Sequence, residues 1–336
     1  LDFGFMHELR MLANEIKPEF WLMGEVIHGD YSRWVNPDML HSVTNYQLYK
    51  ALYSGHNEHN YFEIAHTVRY LLDKGNLPYH LYNFVDNHDV ERIYTRLLNK
   101  QEFVPVHILM YTLPGIPSIY YGSEFGIEGR KEKHSDAVLR PAISLEDYPN
   151  AVNENGCTNI IARLGKIRQK NPVFTDGIYH ELRLTNRQYA FSRTNEITHA
   201  IVVVNNDEAD SSLEIPANGT YTELLSGEVQ SVEGSLHVQL QACSGQIWMK
   251  DYDETVTRKR EVKIPEVKQV VVKEEAIKQA TVDHSKSYEE MSVEELQACV
   301  LEKLAKNGPV TEQMKRDVAN NVYHDSLVNW VKSFRN

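Results

Sequence analysis

The stretch Phe84-Val85-Asp86-Asn87-His88-Asp89 decides the interpretation of this sequence, because a short apolar run ends abruptly in two carboxylates, an amide and an imidazole. A second stretch, Trp21-Leu22-Met23-Gly24-Glu25, has the same form with one carboxylate. We interpret each as a buried strand that delivers polar side chains to its carboxyl end. Two carboxylates in one site suit cleavage of a glycosidic bond, since the leaving oxygen must be protonated while positive charge on the sugar carbon is stabilised.

Before residue 141 the sequence alternates between strand-like apolar runs and helical patterns. The helical segments repeat apolar residues at steps of three and four, whereas most of the strand-like segments are short and continuously apolar. The strand-like segment at 41–46 is more polar than the others. In chain order we predict a helix at 5–16, strands at 20–23 and 41–46, a helix at 61–72, a strand at 81–85, helices at 90–98 and 106–113, and a strand at 118–122. This alternation favours a parallel sheet or barrel, in which the carboxyl ends of the strands carry the chemistry.

The pattern changes after Pro141. One helix is predicted at 159–168, and residues 177–250 show short strands and turns typical of an antiparallel β-sandwich. Residues 251–288 are rich in Lys, Glu, Val and Gln and indicate a charged linker. Ser292 and Glu295 form a capping box ahead of an apolar helical pattern. We therefore predict four regions: a barrel part at 1–172, a β-sandwich at 173–250, the linker at 251–288 and a small helical bundle at 289–336.

Composition excludes some classes of partner. The 336 residues carry a formal net charge of −12 without a basic stripe, which argues against nucleic acid and anionic membranes as partners and is compatible with a neutral sugar. No apolar run reaches the length of a membrane span. The three cysteines are far apart, so we expect free thiols and no zinc site. The chain opens at Leu1 without methionine, and we expect a fragment or a processed piece. Oligomeric state and localisation stay open.

Each candidate residue has an alternative interpretation. A glutamate after a strand, such as Glu25, is more often a solvated or salt-bridged surface residue than a functional one. The Asp86–Asp89 segment can also form an Asx-type turn that caps the next helix through Asp89. Gly24 before Glu25 permits close approach of a ligand, and His28 after it can hydrogen-bond a sugar hydroxyl.

Four motifs in this order resemble one known family: WLMGEVIHGD, SVTNYQLYK, FVDNHDVERI and GIPSIYYGSEFGIEG. Together they are similar to the second half of the catalytic barrel of the alpha-amylase family of glycoside hydrolases, especially its neopullulanase and cyclomaltodextrinase branch. The resemblance covers residues 1 to about 145. It implies an α/β fold with the second half of a TIM (β/α)8 barrel, followed by an antiparallel β-sandwich to about residue 250 and a small helical C-terminal segment.

The resemblance also implies roles for five residues. Glu25 matches the general acid/base, and Asp89 matches the carboxylate that stabilises the transition state. His88 matches a contact to the sugar in the central subsite. His28 and Arg140 match positions that line donor or acceptor subsites. A salt bridge from Arg140 to an acidic neighbour, Asp136 or Glu128, is the alternative for that residue.

The family's nucleophile, an Asp in a Leu-Asp pair, has no match of the right spacing. Asp2 follows a leucine but lies too close to Glu25, and it better matches a second acidic residue beyond the nucleophile, which we expect upstream of Leu1. No cofactor or metal ligand is expected in this chain, and any structural calcium site belongs to the missing half of the barrel.

We therefore expect part of a retaining hydrolase that acts on α-1,4-glucosidic bonds of maltooligosaccharides, cyclodextrins or starch. Without the nucleophile, this piece alone is expected to be inactive. A glucan transglycosylase or isomerase of the same family is an alternative, and so is a noncatalytic carbohydrate-binding or scaffold homologue. Ile27, where many relatives carry an aromatic residue, leaves hydrolysis and transfer both open.

Overall fold

The computed structural model describes residues 2–252, 286–307, 314, 315, 318 and 324–333. The chain forms two compact units, Leu1–Val267 and Lys268–Asn336. Most of the predicted linker, residues 253–285, lies outside the described residues. The four predicted domain boundaries stay predictions. Among the described residues, no helix has the length and apolar character needed to cross a membrane.

Four short parallel strands form the centre of the first part of the chain. They are β1 (Met23–Gly24), β2 (Ser42–Val43), β3 (Tyr82–Asn83) and β4 (Ile116–Pro117). β1 pairs with β2 and β3 pairs with β4, both in parallel. A parallel bridge between Thr44 and Tyr82 joins β2 to β3. The strands therefore stand in chain order, as the predicted barrel segment requires.

Helices connect and surround these strands. The α-helices are α1 (Phe3–Ile16), α2 (Tyr46–Asn57), α3 (Tyr61–Leu72), α4 (Leu77–His80), α5 (Ile93–Arg96), α6 (Phe103–Thr112), α7 (Ala151–Glu154), α8 (Gly156–Lys170) and α9 (Val173–Asp176). Short 3-10 turns lie at Tyr31–Arg33, Lys100–Glu102, Ser123–Phe125, Ala137–Leu139 and Leu145–Asp147. The predicted helix at 61–72 coincides with α3, and the predicted helices at 5–16, 106–113 and 159–168 correspond to α1, α6 and α8.

Two of the predicted buried strands, at 20–23 and 118–122, differ from the structure. Within 20–23, Phe20 is 51% exposed and Trp21 is 45% exposed, because β1 pairs on one edge only within the described residues. Residues 118–121 are not strand, and Tyr121 is 44% exposed. The sequence prediction also missed α2, whose first residue was assigned to the strand at 41–46.

A six-stranded antiparallel sheet follows the helices. Its strands are β5 (Ile178–Leu184), β6 (Gln188–Thr194), β7 (His199–Asn205), β8 (Ser211–Glu223), β9 (Val229–Leu240) and β10 (Ser244–Lys250), in the order β5-β6-β7-β10-β8-β9. One face packs on the barrel helices, where Phe191 and Val202 share a core with residues of α6. On the other face, Trp248 and Val203 pack against the β8–β9 hairpin. The predicted antiparallel β-domain is confirmed, as a single curled sheet.

The second unit contains α10 (Val293–Asn307) and α11 (His324–Ser333). The predicted capping box is present at the start of α10: the Ser292 amide donates to Glu295 Oε2 at 2.7 Å, and the Glu295 amide donates to Ser292 Oγ at 3.2 Å. Leu296, Val300 and Leu327 are buried in the core of this unit. Within the predicted bundle at 289–336, residues 308–313, 316, 317, 319–323 and 334–336 lie outside the described residues.

Two arginines, the buried Arg193 and the partly buried Arg168, tie α6 to its neighbours. Arg193 of β6 is fully buried, and its guanidinium donates to the carbonyl oxygens of Thr112 and Gly177. Arg168 of α8 donates to the Tyr111 carbonyl at 2.5 Å. The last carbonyls of a helix have no partner within it, so these arginines satisfy acceptors at the end of α6 that are otherwise left without a bond.

Replacement of Arg193 by methionine is expected to lower the free energy of unfolding by about 2–4 kcal/mol, since buried carbonyl oxygens lose their donor. Urea titration followed by tryptophan fluorescence measures the change. Arg183→Met, on the exposed face of β5, is the matched control and should stay within about 0.5 kcal/mol of wild type. Equal stabilities of the two variants would contradict the prediction.

A buried carboxyl group lies between α2 and the C-terminal sheet. Glu102 is 1% exposed, and its Oε2 lies 3.9 Å from His56 Nε2. Burial raises the pKa of Glu102 to about 7. Burial likewise lowers the pKa of His56 to about 4. Because both shifts disfavour charge, the uncharged forms are the ones that the fold prefers.

Glu102→Gln is expected to gain stability relative to wild type as the pH rises. The folded pKa of Glu102 is above the unfolded value of 4.5, so its ionisation costs folding energy that accumulates between pH 4.5 and about 7. The variant cannot ionise, and the difference should reach about 3 kcal/mol by pH 8.5. Urea titrations at pH 5 and 8.5 test this, with exposed Glu146→Gln as control. A difference that does not grow with pH would refute the raised pKa.

Candidate active site

Glu25 follows β1 on a loop whose backbone is fixed on both sides. The buried Val26 amide donates to Thr44 Oγ1 at 3.0 Å. Before Glu25, a Cβ on Gly24 would lie 2.5 Å from Leu40 Cδ1, so a glycine lets β1 approach this side chain closely. The Glu25 side chain is exposed. A carboxylate accessible to a ligand therefore stands on an anchored backbone.

Asp86, the first carboxylate after β3, has a structural role. It is 2% exposed, and its Oδ2 accepts from the Ile93 amide and from Ser123 Oγ, each at 2.7 Å. Burial raises the pKa of Asp86 to about 6, against these two hydrogen bonds, which lower it. Asp86 thus ties the loop after β3 to α5 and to the loop after β4.

Asp89 lies three residues further on, in a half-exposed position. Its Oδ1 lies 3.0 Å from the Arg140 guanidinium, and its Oδ2 lies 3.4 Å from His88 Nε2. Arg140 Nε also donates to the His88 carbonyl oxygen at 3.3 Å. Lys131 Nζ donates to the Asp89 carbonyl oxygen at 2.7 Å. The structure therefore brings three of the predicted site residues together: Asp89, His88 and Arg140.

The alternative interpretation of Arg140, a salt bridge to an acidic neighbour, is confirmed for Asp136. Its guanidinium contacts Asp136 at 3.3 Å as well as Asp89. Glu128, the other acidic neighbour considered, lies 4.0 Å from Lys100. Arg140 therefore neutralises two carboxylates at once and holds the His88–Asp89 segment from the opposite loop.

Tyr46 and Asn87 connect the two candidate carboxylates. The Tyr46 hydroxyl lies 2.8 Å from Glu25 Oε1 and 2.9 Å from Asn87 Nδ2. Asn87 Oδ1 accepts from the Asp89 amide at 2.9 Å. One hydrogen-bonded chain thus runs from the loop after β1, over the start of α2, to the loop after β3. Tyr46 was not among the site residues predicted from the sequence, which placed it in the strand at 41–46.

His28 and Asp2 take no part in the hydrogen bonds that link Glu25 to Asp89. His28 is exposed on the loop after β1, and within the described residues no hydrogen bond or ion pair joins it to Glu25 or Asp89. Asp2 is the N-cap of α1, and its Oδ1 accepts from the Phe5 amide at 2.8 Å. Among the residues that the structure describes, no group of three or more His, Cys, Asp or Glu side chains is arranged to hold a metal ion.

Comparisons with known proteins agree with this architecture. The family model for the alpha amylase catalytic domain matches residues 2–177, and the model for the alpha amylase C-terminal all-beta domain matches residues 183–275. Neopullulanase 2 of Thermoactinomyces vulgaris is 29% identical over 260 residues, which are 74% of this chain and 43% of that protein. Cyclomaltodextrinase of Thermoanaerobacter pseudethanolicus is 28% identical, over 61% of this chain and 35% of its own length.

Transferases and solved structures are also among the similar proteins. Cyclomaltodextrin glucanotransferase of Niallia circulans is 27% identical, over 51% of this chain and 24% of its own length. The crystal structure of an Anoxybacillus alpha-amylase superimposes with a TM-score of 0.63 at 21% identity, covering 74% of this chain and 56% of that one. The chain spans less than half the length of these three sequence relatives. Because the catalytic-domain model matches more than half of its residues, the chain belongs to the alpha-amylase family.

Proposed function

We propose that Glu25 is the general acid/base and Asp89 the stabilising carboxylate of a retaining glycoside hydrolase that cleaves α-1,4-glucosidic bonds. The observation that carries the proposal is the chain of hydrogen bonds from Glu25 through Tyr46 and Asn87 to the backbone of Asp89. It holds two solvent-accessible carboxyl groups in a fixed relation at the carboxyl ends of parallel strands. This is the place where barrels of this type carry their catalytic groups.

The two carboxyl groups suit the two demands of the reaction. In the first step the Glu25 proton passes to the glycosidic oxygen, which takes the electron pair of the bond to the sugar carbon. The Asp89 carboxylate stabilises the positive charge that develops on the sugar ring. In the second step water attacks the sugar carbon, the bond from this carbon to the carboxylate nucleophile breaks, and Glu25 accepts the proton that the water loses. Carboxyl groups and water are sufficient for this chemistry.

A retaining mechanism also needs a carboxylate nucleophile, which forms the covalent glycosyl intermediate. We assign this role to no residue of the chain. Asp2, the one candidate from the sequence, uses its carboxylate to cap α1. The nucleophile is therefore proposed to come from a segment other than these residues, and the chain by itself is proposed to be inactive.

The remaining predicted residues are proposed to bind the substrate. His88 is beside Asp89 and exposes about half of its side chain, so its imidazole can reach a hydroxyl of the sugar that Asp89 faces. Arg140 is half exposed on the other side of Asp89. His28 lies on the same loop as Glu25 and is proposed to line an outer subsite. The names of the relatives point to α-glucans and cyclodextrins as the substrate class.

Transfer to a sugar is a second candidate reaction. It is favoured by the relative named cyclomaltodextrin glucanotransferase. Product analysis of the full-length protein at high maltose separates the two: oligosaccharides longer than the substrate indicate transfer, and glucose or maltose alone indicates hydrolysis.

Glu25→Gln in the full-length protein is expected to lower turnover of maltoheptaose at least about 100-fold, since an amide cannot donate the acid proton. Release of reducing ends measures the rate. Glu233→Gln, an exposed position on β9, is the matched control and should keep the wild-type rate. A loss of less than about tenfold in Glu25→Gln would show that Glu25 is not the acid/base.

A further inference from the structure

We infer that Tyr46 is a positioning residue for Glu25: its hydroxyl determines which carboxyl oxygen carries the acid proton and couples Glu25 to the segment of Asp89. The inference rests on the proposed function, because it concerns how the proposed acid/base is held. Tyr46 reaches Glu25 from a different element, at the first residue of α2, 21 positions further along the chain. It acts through Glu25 and needs no contact with the substrate.

The direction of the hydrogen bonds follows from their chemistry. Asn87 Oδ1 accepts from the Asp89 amide, so the other end of this side chain, Nδ2, is the group that faces Tyr46. An amide nitrogen only donates, and the Tyr46 oxygen must therefore accept from it. The single hydroxyl proton of Tyr46 is then free to be donated to Glu25 Oε1 at 2.8 Å.

The proton of Tyr46 stays in place across the working pH range. Burial, together with the hydrogen bond to Glu25 and the negative charges of Glu25 and Asp89, raises the pKa of Tyr46 to about 12, against the hydrogen bond from Asn87. The phenol is consequently always a donor toward Glu25. The carbonyl oxygen of a carboxylic acid accepts a hydrogen bond better than its hydroxyl oxygen does, so donation to Oε1 favours the acid proton on Oε2, the oxygen that then protonates the leaving group.

The tyrosine ring is held on two sides. Its edge packs on Phe84 with centroids 4.9 Å apart and an interplanar angle of 79°, and it meets Tyr49 at 6.0 Å and 85°. Asn45, the residue before it, caps α2 by accepting from the Leu48 amide at 3.1 Å. A hydroxyl on a ring fixed in this way can orient a carboxyl group at little entropic cost.

Two substrates with different leaving groups distinguish a loss of acid positioning from general damage to the active site. The glycosidic oxygen of maltoheptaose needs protonation to depart, whereas the fluoride of α-maltosyl fluoride departs with little help. The rate constant kcat/KM reports the step in which the leaving group departs. Tyr46→Phe, which removes only the hydroxyl, is therefore expected to lower kcat/KM about tenfold or more for maltoheptaose and less than about threefold for the fluoride.

The matched control is Tyr49→Phe in the full-length protein. Tyr49 lies one turn later on α2 and stacks on the same Phe84 at 5.1 Å, and loss of its hydroxyl should change neither rate. Equal losses of Tyr46→Phe on both substrates, or no loss on either, would overturn the positioning role and leave the proposed function intact. A wild-type protein that cleaves neither substrate would overturn the proposed function, and the role of Tyr46 with it.

Discussion

A chain of buried amide groups ties the segment after β2 and the end of β3 to the segment before β4, and the site depends on these strands. Asn45 donates to Asn83 Oδ1 at 2.9 Å, and Asn83 donates to the Pro114 carbonyl oxygen at 2.9 Å. Both amides are buried, so each lost bond would leave a polar group without a partner. Gly115, at a φ of +128°, makes room, because a Cβ there would lie 2.2 Å from Asn83. Two-residue strands provide few ladder hydrogen bonds. The hydrogen bonds of Asn45 and Asn83 therefore fix the positions of β2, β3 and β4 relative to one another.

The sequence predicted the parallel arrangement because strand-like runs alternate with helical patterns, and the helices α1, α3 and α6 were found where expected. The predicted burial of side chains was wrong where it depends on the neighbouring strands of the sheet. Phe20 and Trp21 have a core-like composition, yet they stand beside a strand that pairs on one edge only within the described residues. Helix α2 was missed because Tyr46 and Tyr49 favour strands locally, while Leu48 and Leu52, which are fully buried, determine the helix through packing.

The sequence predicted which strand ends carry the candidate site, but the local pattern did not show which carboxylate has a structural role. Asp86 and Asp89 are three residues apart and equally polar in the sequence. Their roles separate because the Ile93 amide and Ser123 enclose Asp86, whereas Asp89 stays half-exposed beside Arg140. Ser123 and Arg140 are distant in sequence, and no local pattern indicates their contacts. For the same reason a residue such as Tyr46, which meets Glu25 only after the strands align, is visible in the fold and not in the sequence motif.

The C-terminal sheet completes a helix of the catalytic part. Helix α6 is buried almost throughout and ends at Thr112, whose carbonyl oxygen accepts from Arg193 of β6. Arg168 donates to the Gly115 carbonyl at 2.6 Å, one residue before β4 begins. Positive charge at this helix end is also favoured by the helix dipole. Gly115 packs directly on Asn83, one of the buried amides that link β2, β3 and β4. The hydrogen bond from Arg168 to Gly115 therefore lies next to these amides. The regions matched by two separate family models therefore share one core, and the sheet supports the site through the end of α6.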